Sequence, residues 1–96
     1  MANFLVELYL PRTDVAAFAW STRRARLAAD ELSLQGTPVR YLHSIFVPAD
    51  EMCFHLYEAD SPDGVREAAR RAALHFERVS EAVSEAGLSE KGDHDA

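Results

Sequence analysis

Tyr41-Leu42-His43-Ser44-Ile45-Phe46-Val47, then Pro48-Ala49-Asp50-Glu51, then Met52-Cys53-Phe54-His55-Leu56-Tyr57-Glu58-Ala59 has the pattern of two strands around a short polar turn. Both flanks are rich in β-branched and aromatic residues, which suit a pleated, half-buried surface. The middle carries a proline and two acids, the chemistry of a turn. The pattern predicts strands over 39–47 and 52–59 with a turn over 48–51. This hairpin also gathers chemistry: two of the four histidines, the only cysteine, and Tyr41 and Tyr57. Period two places Cys53, His55 and Tyr57 on one face of the second strand. The face of His43 depends on register. If Val47 pairs with Met52, His43 points with Phe54 and Leu56, away from Cys53; with one more residue in the turn it joins the cluster.

Working outward, residues 3–10 alternate, with Phe4, Val6, Leu8 and Leu10 against Leu5, Glu7 and Tyr9, which predicts a strand. Pro11 ends it, and Thr13 or Asp14 offers a side-chain oxygen to the free amides of a helix over 14–34. Gly36 and Pro38 stop that helix. Downstream, Ser61 caps and Pro62 opens a second helix over 62–74, whose narrow apolar stripe is Val65, Ala68, Ala69 and Ala72. Residues 76–84 alternate again and predict a last strand, with an amphipathic helix as the other reading. The polar tail from Gly87 is expected to be disordered, leaving one domain over 1–86.

The order βαββαβ with short connections predicts an α+β, ferredoxin-like plan: a four-stranded antiparallel sheet with both helices on one face. The other face then holds Leu5, Glu7 and Tyr9. Such a mixture suits contact with a second copy, two open faces stacking into a dimeric α+β barrel, or an internal cavity. The first helix adds a second surface. Trp20, Leu27 and Leu34 recur every seven residues, and Trp20 lies about 200° around the axis from the core-facing Phe18. They are candidates for a further protein contact.

Bulk properties narrow the function. At 96 residues the chain is a single small domain, and such a chain buries only roughly 60–65% of its unfolded surface, so a dimer completes the core. Its net charge of −6 disfavours nucleic acid. Arg23, Arg24 and Arg26, like Arg66, Arg70 and Arg71, interleave with acids and read as solvated helix faces. No 18-residue apolar run would span a membrane, and no secretory signal opens the chain. With a single cysteine, these features set a cytoplasmic expectation.

The chain resembles a known family, the small ferredoxin-like domains grouped around the nickel-responsive proteins. The carrying segments are Phe4-Leu5-Val6-Glu7, Pro38-Val39-Arg40-Tyr41-Leu42-His43-Ser44 and Cys53-Phe54-His55-Leu56-Tyr57-Glu58-Ala59. To these add Val65-Arg66-Glu67-Ala68-Ala69-Arg70-Arg71-Ala72 and Glu77-Arg78-Val79-Ser80-Glu81. The likeness runs in register over about residues 3–83 and implies a ferredoxin-like fold, a homodimer and nickel binding. The chain departs from it in two places. Ala73-Leu74-His75 stands where many relatives have Gly-Leu-Pro. His55 stands two residues before the aromatic of the Tyr57-Glu58-Ala59 motif, where many have cysteine, with Cys53 two residues earlier.

Thiolate and imidazole are good ligands for nickel or another divalent transition metal. The candidate metal set is therefore Cys53 and His55, with Glu7 from across the sheet and His43 if register permits. A second hypothesis is an enzyme or carrier holding a small organic molecule in an open-face cavity lined by Glu7, Tyr9 and Tyr57, where a carboxylate and phenols can shuttle protons. A third is a purely structural interaction domain. Without a glycine-rich phosphate loop, a Ser-His-Asp pattern or a carboxylate pair, the sequence leans away from an enzyme. His75 reads as a helix-end residue and His94 as a tail residue able to pick up adventitious metal.

Overall fold

The computed structural model describes residues 1–83. The order is β1 (Ala2–Tyr9), α1 (Val15–Leu34), β2 (Val39–Val47), a one-turn 3-10 helix (Pro48–Asp50), β3 (Met52–Ala59), α2 (Pro62–Arg71) and β4 (Phe76–Ala82). The strands form one antiparallel sheet in the order β2-β3-β1-β4. This is the ferredoxin-like α+β plan, and each strand and helix expected from the sequence is present. The last strand is a strand and not a helix. The tail expected to be disordered lies outside the described residues.

Local chemistry explains the element ends. Asp14 accepts a hydrogen bond from the Ala17 amide at 2.9 Å and starts α1. Ser61 accepts from Gly64, and Pro62 occupies the first helical position of α2. Both helices stop with the same pair of backbone bonds. In α1, Thr37 N–H reaches the Leu32 carbonyl and Gly36 N–H the Ser33 carbonyl; in α2, Leu74 N–H reaches Ala69 and Ala73 N–H reaches Arg70. This closing turn needs a left-handed residue. Gly36 supplies it at φ 103°, whereas Ala73 is held at φ 58° despite its side chain. That is why α2 ends at Arg71 rather than running to residue 74.

Phe4, Val6 and Leu8 from β1, Cys53, His55, Tyr57 and Ala59 from β3, and Val39 and Tyr41 from β2 face the helices and are buried. Ala25, Ala29 and Leu32 of α1 and Val65, Ala68 and Ala69 of α2 close over them. The alanines let both helix backbones lie close to the sheet.

Two bulges set the faces. In β2, Tyr41 pairs with Tyr57 but His43 already pairs with Leu56, so Leu42 is an extra residue. Strict alternation would put Tyr41 and His43 on one face; the register from Val47–Met52 places His43 on the open side, and the bulge turns Tyr41 back to the core. In β4, Leu8 pairs with Phe76 while Glu7 pairs with Arg78, so Glu77 is extra. Phe76 and Val79 therefore both reach the core, although plain alternation separates them.

Replacing Ala73 by glycine removes the left-handed strain on a methyl-bearing residue, partly offset by glycine's larger unfolded-state entropy. Ala73→Gly should stabilise the chain by roughly 0.5–1 kcal/mol. A thermal melt checks this, an unchanged or lower midpoint counting against it.

Candidate functional site

The hairpin brings part of the expected cluster together. Cys53, His55 and Tyr57 do share a face, the one beneath the helices, and all three are fully buried. The Tyr41 hydroxyl lies 2.7 Å from His55 Nδ1, and Cys53 Sγ lies 3.7 Å from His55 Nε2. The Tyr41 ring packs edge-on against Tyr57, with centroids 5.3 Å apart. Toward solvent, Thr22 of α1 and Ser44 of β2 share a hydrogen bond of 2.9 Å, and the Arg26 guanidinium lies over the Tyr41 ring at 5.0 Å.

Burial governs the electrostatics of this row. It pushes the Cys53 thiol up to about 11, so the sulfur is a thiol at neutral pH rather than the thiolate a metal would bind. It pushes His55 down to about 4, so the imidazole is neutral, with one nitrogen donating and the other accepting. Burial also raises Tyr41 and, further, Tyr57. All four groups are uncharged. Tyr41, His55 and Cys53 satisfy one another, while the Tyr57 hydroxyl has no hydrogen-bond partner among the described residues.

The other expected residues lie elsewhere. Val47 pairs with Met52, the register in which His43 turns away from Cys53. His43 is opposite Leu56 on the open face and is exposed. Glu7 is opposite Phe54 on that same face, where Arg78 engages its carboxylate. The expected metal set is thus split by the sheet, Cys53 and His55 beneath the helices, His43 and Glu7 on the far side. Among the described residues no group of three or more His, Cys, Asp or Glu side chains is arranged to hold a metal ion. The expected organic-ligand set is split too: Glu7 and Tyr9 are on the open face, but Tyr57 lies opposite the inward-facing Phe4 and is buried. His75 follows α2, exposed, before β4 begins. Tyr41 is the site residue that sequence reasoning missed; only the bulge at Leu42, which carries no glycine or proline to announce it, brings it inward.

The open face has an apolar middle. Leu5, Phe54, Leu56, Val47 and Met52 are half-buried by their neighbours alone, and Ile45 is 50% exposed. Ion pairs flank it, Arg40 with Glu58 at 3.4 Å on one side and Arg78 with Glu7 on the other.

The family described as "Nickel responsive protein SCO4226-like" matches residues 4–82. The chain belongs to that family. The crystal structure of SCO4226 from Streptomyces coelicolor A3(2) superposes with a TM-score of 0.69 at 19% sequence identity, covering 86% of this chain and 99% of that one. At that identity the likeness speaks for the fold. No curated protein matches the chain. No helix among the described residues is long and apolar enough to cross a membrane.

Two predictions follow from the buried row. Tyr57→Phe removes an unpaired buried hydroxyl and should leave stability unchanged or raise it by up to about 1 kcal/mol, whereas Tyr41→Phe orphans His55 and should cost about 1–2 kcal/mol. Equal losses from the two, measured by urea unfolding, would refute the difference in their partners. The second concerns pH. Burial holds folded His55 at about 4, below the ordinary imidazole value of 6.5, so between these values the unfolded chain takes up a proton that the folded chain refuses. Stability from this group is full above about pH 6.5 and falls as pH drops toward 4, by on the order of 3 kcal/mol in total. Cys53 acts in the opposite direction, its contribution being lost as pH rises from 9 toward 11. Urea midpoints should decline between pH 6.5 and 5 in the native chain and be flatter in His55→Leu.

Proposed function

We propose that this chain works as a cytoplasmic homodimer joined through the open sheet face, binding nickel or another divalent transition metal between its protomers. The observation that carries the reading is the apolar middle of that face, Leu5, Phe54, Leu56 and Ile45, rimmed by ion pairs. An uncovered apolar centre with a polar rim has the anatomy of an interface. Stacking two copies produces a dimeric α+β barrel, which fits a chain too short to bury a large core alone.

The metal part of the reading rests on which ligands a second copy can reach. Cys53 and His55 are buried, protonated as a thiol and neutral as an imidazole, and engaged with Tyr41. His43 is an exposed imidazole on the face the partner would cover, and Glu7 shares that face. His43 sits on β2 and Glu7 on β1, with β3 between them. Two inter-strand spacings, about 10 Å, keep them from sharing an ion within one protomer. A two-fold axis along β3 would exchange the β2 and β1 sides, bringing one protomer's His43 toward its partner's Glu7. Imidazole and carboxylate suit nickel or zinc, and Glu7 would have to exchange Arg78 for the ion. Trp20, Leu27 and Leu34 stay exposed on α1 and are the candidate for a second contact, beyond the dimer.

Sedimentation and calorimetry test this in the full chain carrying His94→Ala, which removes an adventitious ligand. The native sequence should sediment as a dimer and Ile45→Glu as a monomer. Ni(II) uptake should be saturable in the dimer and lost in both Ile45→Glu and His43→Ala, yet persist in Cys53→Ala. Loss in Cys53→Ala with retention in His43→Ala would move the site to the buried row and overturn the reading.

A further inference from the structure

The arginines divide into two sets. Arg12, Arg40, Arg66, Arg70, Arg71 and Arg78 each face a carboxylate. Arg23, Arg24 and Arg26 on α1 face none among the described residues, although the chain carries a net charge of −6. Arg24 is occupied by the Ala72 carbonyl, to which its Nε donates at 2.9 Å. Arg23 and Arg26 lie instead over aromatic rings, Trp20 at 5.1 Å and Tyr41 at 5.0 Å. A guanidinium attracted to a ring face spends no N–H on a carboxylate, so its donors stay available to an oxyanion.

Both flank a cleft of about 620 Å³ between α1 and β2, within the size range of small-ligand pockets. Phe18 and Leu27 provide apolar wall, and Phe18 is fixed by stacking on Phe46 with ring centroids 5.3 Å apart. The hydrogen-bonded hydroxyls of Thr22 and Ser44 lie within it. We infer that this cleft is a binding site for a small amphipathic organic anion, its acid group held by Arg23 and Arg26 and its apolar body against Phe18 and Leu27. Thr22 and Ser44 can each turn a hydroxyl hydrogen toward the acid group. A neutral or cationic ligand of the same shape would leave two guanidiniums unanswered. The cleft is on the helix side of the sheet, away from the open face, so the site is independent of the proposed dimer and metal; it shares Leu27 with the candidate second contact, and the two uses of that residue exclude each other.

The test uses the full chain and two probes, 8-anilinonaphthalene-1-sulfonate fluorescence and competition by octanoate against octylammonium. Saturable dye binding should be displaced by octanoate and not by octylammonium. Arg23→Gln with Arg26→Gln should weaken octanoate by about tenfold or more, in line with lost hydrogen bonds to a charged group, while Arg23→Lys with Arg26→Lys retains part of the affinity. Ala19→Trp, which fills the cleft, should block both probes with the circular dichroism of the fold unchanged. Absence of saturable binding, equal competition by octylammonium, or native affinity in the double Gln variant would each overturn the proposal. So would sedimentation showing a second copy seated on the cleft, as species above the dimer that Leu27→Glu dissolves.

Discussion

The register of the β2–β3 hairpin is the constraint on which the rest depends. Side chains alternate with period two, so a one-residue slip would exchange the buried and open faces of a whole strand. The turn that fixes it is tied down at Glu51. This residue takes a left-handed conformation at φ 53°, its carbonyl accepts from Leu10 and its carboxylate accepts from the Arg12 amide at 3.0 Å. The hairpin tip is thereby bonded to the segment leading from β1 into α1. With Val47 opposite Met52, Cys53, His55 and Tyr57 go inward and His43 goes outward. The bulge at Leu42 then returns Tyr41 to the core, where its hydroxyl meets His55.

Polar groups in the core are tolerable here because they answer one another. A neutral imidazole has one donor and one acceptor, matched by a phenol on one side and a thiol on the other. None of the three has to ionise, so the cost of desolvating a charge never arises. The same neutrality makes the pair a poor metal site: binding would require deprotonating a thiol that burial protects and separating His55 from one of its two partners. What looked in sequence like soft ligands gathered for a metal is, in this fold, a self-satisfied polar seam between α1 and the sheet.

Much of the fold was legible. Alternation of Phe4, Val6 and Leu8, the stop at Pro11 and the cap at Ser61-Pro62 are local signals, and they sit where local physics puts them. The hairpin turn was legible as well, but not its register, since both pairings of Val47 satisfy the same composition. The bulges at Leu42 and Glu77 were not legible, because neither has glycine or proline, and what they gain is tertiary: Tyr41 beside His55, and Phe76 with Val79 on the core. For the candidate site, Cys53 beside His55 follows from spacing alone, while the faces of Glu7, His43 and Tyr57 relative to that pair do not, because facing is a property of the whole sheet. The end of α2 was shifted by Ala73, which occupies a conformation that sequence reasoning reserves for glycine.

The division of the candidate ligands between two faces bears on how the proposed metal site would behave. A site complete within one chain binds its ion without reference to protein concentration. A site assembled from His43 of one protomer and Glu7 of the other exists only in the dimer, so metal affinity and dimer stability are linked and each must strengthen the other. The apolar centre of the open face would set the basal dimer population, and the ion would shift it by its affinity for the dimer alone. Response to metal would then be read out as assembly, with no movement of the helices over the sheet. The buried Tyr41–His55 hydrogen bond joins β2 to β3 in the register that keeps His43 outward, on the face a second copy would cover.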